Sequence, residues 1–309
     1  MSFTMNVKEE ICTKDFPMLE NIAELSGYIR SNWKKDIDKI ELVTENAKIA
    51  KRLYTLIKRI YGVETTFENR KLANFSKKML YVIIIKNKVV SILRDLSLID
   101  EDNNFIDSPK EYITGSIEEE KAYIRGSFLS KGSITDPKSG YHLEMLYDNK
   151  FEAVFVQRLL NNFNLNSKII IRDTKYMVYI KEAEKVSDFL KIVGAVKETL
   201  YYENVIIEKE QKNITNRLNN CEQANIDKII MSANKTIEEI DKIDEILGLD
   251  MLDEKLQETC NYRKKYPEVS LEELAKIMTI ETGNKVGKSG LNHRFRKIKS
   301  IYENLINNK

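Results

Sequence analysis

The chain has 309 residues, 42% of them hydrophobic and 32% charged, which describes a folded protein of two or three domains at about 150 residues each. Only 11 glycines and 4 prolines are present, which excludes collagen-like, linker-rich and many-turned all-β architectures and favours long helices with a few strands. The formal net charge of +2 hides a segregation: residues 236–258 hold nine acids against Lys242 and Lys255, whereas residues 285–299 hold six cations and no acid.

The N-terminal residues show no basic stretch leading into an apolar one, so no secretory signal is expected. No run of about 18 apolar residues offers a membrane span. Cys12, Cys221 and Cys260 are odd in number and distant from each other, and His142 and His293 lie remote from all three. Reduced, packed thiols in a cytoplasm are expected, with no zinc site, disulfide framework or cofactor.

Along the chain, residues 18–99 resemble residues 117–196. The first half opens with a helix at 23–33, then a strand at 39–44, a helix over Ala47–Tyr61, strands at 63–67 and 80–85, and a helix at 88–96. The second opens with a helix at 122–132, then a strand at 141–146, a helix at 151–163, strands at 168–172 and 176–180, and a helix at 182–192. The order is α-β-α-β-β-α, written twice. Each opening helix carries a glycine beside a serine (Ser26, Gly27; Gly126, Ser127). A mid-helix glycine costs about 1 kcal/mol relative to alanine, and close approach of a second helix would offset that. The two opening helices are therefore expected to pack on each other along their small faces.

This arrangement resembles the LAGLIDADG homing-endonuclease fold, in which two such halves meet through their opening helices beneath a saddle of strands. The resemblance implies an acidic metal ligand at the end of each opening helix in active enzymes. Here those positions hold Asn32 and Lys131. An amide is a poor substitute for a metal-binding carboxylate and an ammonium repels Mg²⁺. Asp136 lies beyond the glycine turn and has no counterpart in the other half. The fold is read as retained and the nuclease as lost, with no catalytic residue and no metal.

A polar helix is expected from Glu203 to about Leu247, with a heptad-like stripe of Ile226, Ile230, Ala233, Ile237, Ile240 and Leu247 interrupted by Asp244. The stripe suits docking on a neighbouring domain or a short self-associating coiled coil. Further on, Ser270 and Glu273 form a capping box for a short helix with Leu271, Leu274, Ala275 and Met278 on its apolar face. A connection of about ten residues, 279–288, follows. Ser289 is expected to cap the last helix, whose stripe is Leu291, Phe295, Ile298, Tyr302 and Leu305. Asn292, His293, Arg294, Arg296, Lys297 and Lys299 are expected to project from its other faces, in a helix-turn-helix spanning about Ser270 to Glu303. Arg and Asn suit base edges, and Lys suits phosphate.

Three features together resemble the WhiA family of bacterial DNA-binding regulators: the degenerate LAGLIDADG pair, the polar string from Asn216 to Asn225, and the helix from Lys288 to Ile298 (KSGLNHRFRKI). The run from Glu120 to Gly132 with Asp136, Pro137, Lys138 and Ser139 adds to the resemblance, which covers nearly the whole chain. It implies a non-catalytic protein that binds double-stranded DNA through Lys288, Ser289, Asn292, His293, Arg294, Arg296, Lys297 and Lys299. It also implies a role in sporulation transcription in filamentous relatives, and in cell division and chromosome segregation along the nucleoid in others. The chain departs from the family in the longer stretch Gly283, Asn284, Lys285, Val286 and Gly287. The expected class is an α+β LAGLIDADG-like pseudo-two-fold domain followed by an all-α helix-turn-helix domain. The expected boundaries are 1–108 for the first half, 109–202 for the second, 203–248 for the linker helix and 249–309 for the DNA-binding domain. The saddle, with Lys168, Arg172 and Lys175 beside Asp173 and Glu144, is expected to meet either DNA or a partner protein. A protein adaptor of the division machinery and a residual endonuclease are the competing readings; no membrane or nucleotide cofactor enters any of them.

Overall fold

The computed structural model describes residues 2–71 and 79–307, and the chain divides into two units, Met1–Lys209 and Glu210–Lys309. Each unit is built on its own core.

The first unit begins with α1 (Phe3–Ile11), which the sequence reading passed over. Its signals are local: the Ser2 hydroxyl accepts from the Met5 N–H, and Phe3, Val7 and Ile11 recur every four residues on the buried face. The first half continues as α2 (Met18–Asn32), β1 (Ile40–Thr44), α3 (Ala47–Tyr61), β2 (Thr65–Lys71), β3 (Met79–Ile85) and α4 (Val89–Asp95). The second half is α5 (Ile117–Lys131), β4 (Gly132–Ile134), β5 (Leu143–Tyr147), α6 (Lys150–Asn162), β6 (Lys168–Arg172), β7 (Lys175–Ile180) and α7 (Ala183–Ile192). The doubled order is therefore present, with one added strand: β4 follows α5 directly and pairs with β5. The sheets are antiparallel, ordered β1-β3-β2 and β4-β5-β7-β6.

The halves meet through α2 and α5. A Cβ placed on Gly126 would stand 1.9 Å from the Glu24 carbonyl oxygen, and one on Gly27 would stand 2.4 Å from the Tyr123 carbonyl oxygen. Each glycine thus faces the carbonyl of the residue three before the other glycine, which is what a pseudo-two-fold axis between the helices produces. The neighbouring serines are spent on each half's own structure. Ser26 donates to the Leu96 carbonyl at 2.7 Å, and the Ser127 hydroxyl lies 2.6 Å from the Tyr147 hydroxyl.

One buried charge cluster spans the same seam. The Glu24 carboxylate accepts from Arg52 Nη2 on α3 (2.9 Å), from Arg52 Nε, and from Arg125 Nε on α5 (2.6 Å). Arg125 also lies 3.5 Å from Glu20 and 3.4 Å from the centre of the Phe16 ring. Charges this deep are costly to bury, and sharing one carboxylate offsets that cost.

A single helix, α8 (Val196–Ile246), crosses the division between units. It starts seven residues before the expected linker because Tyr202 and Val205 are buried in the first core. Residues 211–228 are then exposed on every face. Cys221 lies there in solvent, unlike the half-buried Cys12 and buried Cys260; the expectation of three packed thiols fails for it. The expected stripe is shifted as well. Ile226 and Leu247 are exposed, whereas Ala233, Ile240 and Ile243 are buried. Asp244 does not interrupt packing, since its carboxylate sits outside and accepts from Lys264 at 3.3 Å. The helix stops at Gly248, whose φ of +83° with ψ of 135° is a backbone conformation that only glycine adopts without strain.

The second unit holds the last part of α8 with α9 (Glu254–Lys265), α10 (Leu271–Thr282) and α11 (Lys288–Asn307). Two apolar clusters support it. Ile240, Ile243, Leu249, Leu256, Cys260 and Ile298 form one; Leu274, Ala275, Met278 and Leu291 form the other. Phe295 packs against both.

Candidate nucleic-acid interface

The ends of the opening helices show what became of the metal positions. The Asn32 amide pairs with the backbone of Val43 in β1: Nδ2 donates to the carbonyl at 3.2 Å and Oδ1 accepts from the N–H at 3.1 Å. A carboxylate could accept there but not donate, so the amide is fitted to its place. Lys131 lies 3.8 Å from Asp148, which Lys175 also approaches at 3.2 Å. Asp136 is used in its own turn, where Oδ1 accepts from the Lys138 N–H at 2.9 Å. Among the described residues no three His, Cys, Asp or Glu side chains are grouped to hold a metal ion.

Next to Asn32, the Ser31 hydroxyl donates to Glu152 of α6. Burial pushes the Glu152 carboxyl above its ordinary range, against the pull of the Ser31 hydrogen bond and of Arg30 and Lys131. A raised carboxyl pKa gives stability that is fully present below the unfolded value and is lost as pH climbs through the folded one. Glu152→Gln keeps an acceptor for Ser31 without the charge. Its melting temperature is therefore expected to gain on the parent's as pH is raised from about 4 to about 7. Thermal melts across that range check this; a constant difference contradicts it.

On the saddle face of the second sheet, register places Lys168, Ile170 and Arg172 of β6 beside Tyr179, Met177 and Lys175 of β7, and Glu144 beyond them. Lys168 and Arg172 are exposed. In the first sheet the corresponding charges neutralise each other, Arg70 pairing with both Glu41 (3.0 Å) and Glu68 (2.9 Å). Hydrogen bonds from Lys39 and Arg70 hold the Glu41 carboxyl below its usual range, overcoming its partial desolvation.

In the second unit α10 begins as the residue pattern requires. The Ser270 hydroxyl accepts from the Glu273 N–H at 3.2 Å, and the Glu273 carboxylate accepts from the Ser270 N–H at 2.9 Å. Ser270→Ala is expected to lower the stability of this unit by about 1 kcal/mol, read as an earlier thermal transition. The connection to α11 is five residues, 283–287, rather than ten. Gly283 turns the chain at φ +72°, and the Thr279 hydroxyl accepts from the Val286 N–H at 3.0 Å, which fixes the loop. Because α11 starts at Lys288, Ser289 lies inside its first turn and is not the cap.

Leu291 and Ile298 are the buried residues of α11. Ser289, Asn292, His293, Arg296, Lys297 and Lys299 are exposed, as is Lys288, which lies 3.9 Å from Glu272. Lys297 lies 3.8 Å from Asp253 and Lys299 3.7 Å from Glu303; such exposed pairs are weak and exchange readily for phosphate. Arg296 has no acidic partner among the described residues. Arg294 departs from expectation. It donates to the Thr259 hydroxyl at 3.1 Å and lies 3.6 Å from Glu258, so it is turned onto α9. The reason is spacing: Arg294 is three residues after Leu291 and four before Ile298, on the flank of the buried stripe. A further helix, α9, was not expected. Asp253 caps it, accepting from the Leu256 N–H at 3.0 Å, and Leu256, Cys260 and Arg263 repeat at helical spacing.

Comparison with known proteins agrees with this geometry. Residues 19–99 match the WhiA N-terminal LAGLIDADG-like domain, residues 120–212 the WhiA LAGLIDADG-like domain and residues 215–302 the WhiA C-terminal HTH domain. The chain is 39% identical over 312 residues to a protein of Bacillus cereus strain B4264 named "Probable cell division protein WhiA", covering 99% of this chain and 97% of that one. The same name belongs to a Bacillus cytotoxicus protein, 39% identical over 310 residues with the same coverage. Among solved structures, full-length WhiA from Thermatoga maritima shares the fold at a TM-score of 0.61 and 24% identity, over 98% of this chain and 99% of that one. With a LAGLIDADG-like unit and a helix-turn-helix unit matched over nearly its whole length, the chain belongs to the WhiA family.

Proposed function

We propose that the protein is a non-catalytic DNA-binding regulator that docks α11 in the major groove of double-stranded DNA. The observation that carries this reading is the outer face of α11. Asn292, His293 and Arg296 stand there with Ser289, flanked by Lys288, Lys297 and Lys299, and no acid intervenes before Glu303. Arg296 and Asn292 suit base edges and the lysines suit phosphates. Arg294 is assigned to holding α11 on α9 instead. The name borne by the Bacillus relatives supports placing this regulation in cell division, and we include chromosome segregation, transcription control and a place on the nucleoid in the proposal. Domain limits of 1–108, 109–202, 203–248 and 249–309 are part of the same proposal.

In the first unit, the Asn32–Val43 pairing and the Lys131 ammonium support a platform without nuclease activity. Lys168, Arg172 and Lys175 give that platform a basic stripe for DNA; the exposed Ile170 between Lys168 and Arg172 equally suits a protein partner. Supercoiled plasmid incubated with the protein and Mg²⁺ tests the reading: retardation without nicking is expected, and metal-dependent nicking would overturn it.

A further inference from the structure

Within the second unit, Arg263 of α9 is only 3% exposed. Its Nη1 donates to the carbonyls of Tyr266 (3.3 Å) and Val269 (2.9 Å), and its guanidinium carbon lies 5.5 Å from the centre of the Phe295 ring. Nε has no hydrogen-bond partner, and no carboxylate pairs with this guanidinium among the described residues. Burial pushes its pKa down, yet an arginine keeps its proton throughout the physiological range. A buried cation without a counter-charge is costly. The other deep guanidiniums, Arg52 and Arg125, share the Glu24 carboxylate; Arg263 has no equivalent.

Arg263 lines a cavity of about 420 Å³, within the span of roughly 300–1,000 Å³ typical of small-ligand sites. Around it stand Lys228 and Ser232 from α8, Ser270 at the start of α10, and Lys288, Asn292 and Phe295 from α11. The lining holds three cations, Lys228, Arg263 and Lys288, against one carboxylate, Glu272. The excess of two positive charges matches a phosphate monoester, which carries about −1.5 to −2 near neutral pH. The positive end of α10, twelve residues long, adds to the same field. Phe295, Val269 and Leu271 supply an apolar wall for the body of such a molecule.

We infer that this cavity binds a small organic phosphate monoester, whose anion supplies the counter-charge missing at Arg263. No sequence motif announces the site; it is assembled from four helices. Lys288 and Asn292 belong both to its rim and to the proposed DNA-reading face of α11, so occupancy is coupled to DNA affinity. The binding itself does not depend on DNA recognition.

The test uses the full chain without DNA, titrated calorimetrically with inorganic phosphate, glucose 6-phosphate and the four nucleoside monophosphates. At least one organic phosphate is expected to bind saturably and more tightly than inorganic phosphate. Affinity should fall by about tenfold or more in Lys228→Ala, vanish in Arg263→Met, and stay unchanged in Arg296→Ala. Lys228 is exposed, so its replacement keeps the test valid should Arg263→Met fail to fold. Absence of saturable binding by every probe overturns the inference, as does equal binding in Lys228→Ala. Equal loss in Arg296→Ala places the anion on the outer face of α11 and overturns it too.

Discussion

Gly126→Ala is expected to separate the two halves of the first unit and to be the most damaging single-methyl change in it. The added Cβ would lie 1.9 Å from the Glu24 carbonyl oxygen, and what it meets is backbone, not the end of a side chain that could swing away. Relief requires α2 and α5 to move apart, which strains the Glu24 contacts with Arg125 and loosens the buried faces on either side. Overpacking of ordinary core positions costs about 1–3 kcal/mol; a collision between helix backbones at a charge-bearing seam belongs at or above the top of that range. For a unit of this size each kcal/mol lowers the melting temperature by roughly 2–4 °C, so a fall of about 6–12 °C or more is predicted. Gly27→Ala, with 2.4 Å to the Tyr123 carbonyl, should behave alike. Gly140→Ala, where no atom lies within 4 Å of the added carbon, is the control and should melt near the parent. Equal melting of all three variants would contradict the close-packed seam.

The second large effect separates two arginines that the sequence treats as equals. Arg296→Ala is expected to cost about 1–3 kcal/mol of DNA binding, roughly 5- to 150-fold in affinity, with no change in melting. Arg294→Ala should do the reverse. It removes the hydrogen bond to Thr259 and the pairing with Glu258 that hold α11 on α9, so this unit melts earlier while DNA affinity at low temperature is preserved. Binding isotherms paired with melts of both variants decide the matter. If Arg294 proves the larger contributor to affinity, the assignment of faces on α11 is wrong.

Much of this architecture was legible in the residues. The doubled α-β-α-β-β-α order followed from apolar periodicity, and the glycine–serine pairs in both opening helices announced their mutual packing. What escaped was whatever depends on which side of a helix finds a partner. Arg294 was grouped with the outward cations although its spacing from Leu291 and Ile298 put it on the flank of the buried stripe. Residues Thr279 to Thr282, polar and β-branched, read as loop, yet they close α10 because Gly283 supplies the left-handed stop and Thr279 binds Val286. In α8, Ile226 fits a heptad but faces solvent, as residues 211–228 do throughout. The uncompensated Arg263 was invisible because a missing counter-charge is a property of the folded surroundings.

Fluorescence anisotropy of a labelled duplex across a salt series tests the central claim most directly, comparing the intact protein with an Arg296→Ala, Lys297→Ala, Lys299→Ala variant. If about four cations neutralise phosphates, log K falls with log salt at a slope near −3.6, a roughly hundredfold loss between about 50 and about 200 mM. Removing the two phosphate-binding lysines, Lys297 and Lys299, should leave a slope near −1.8, at about −0.9 per remaining contact. Binding that is absent, or equally steep in the variant, would contradict a DNA interface on α11.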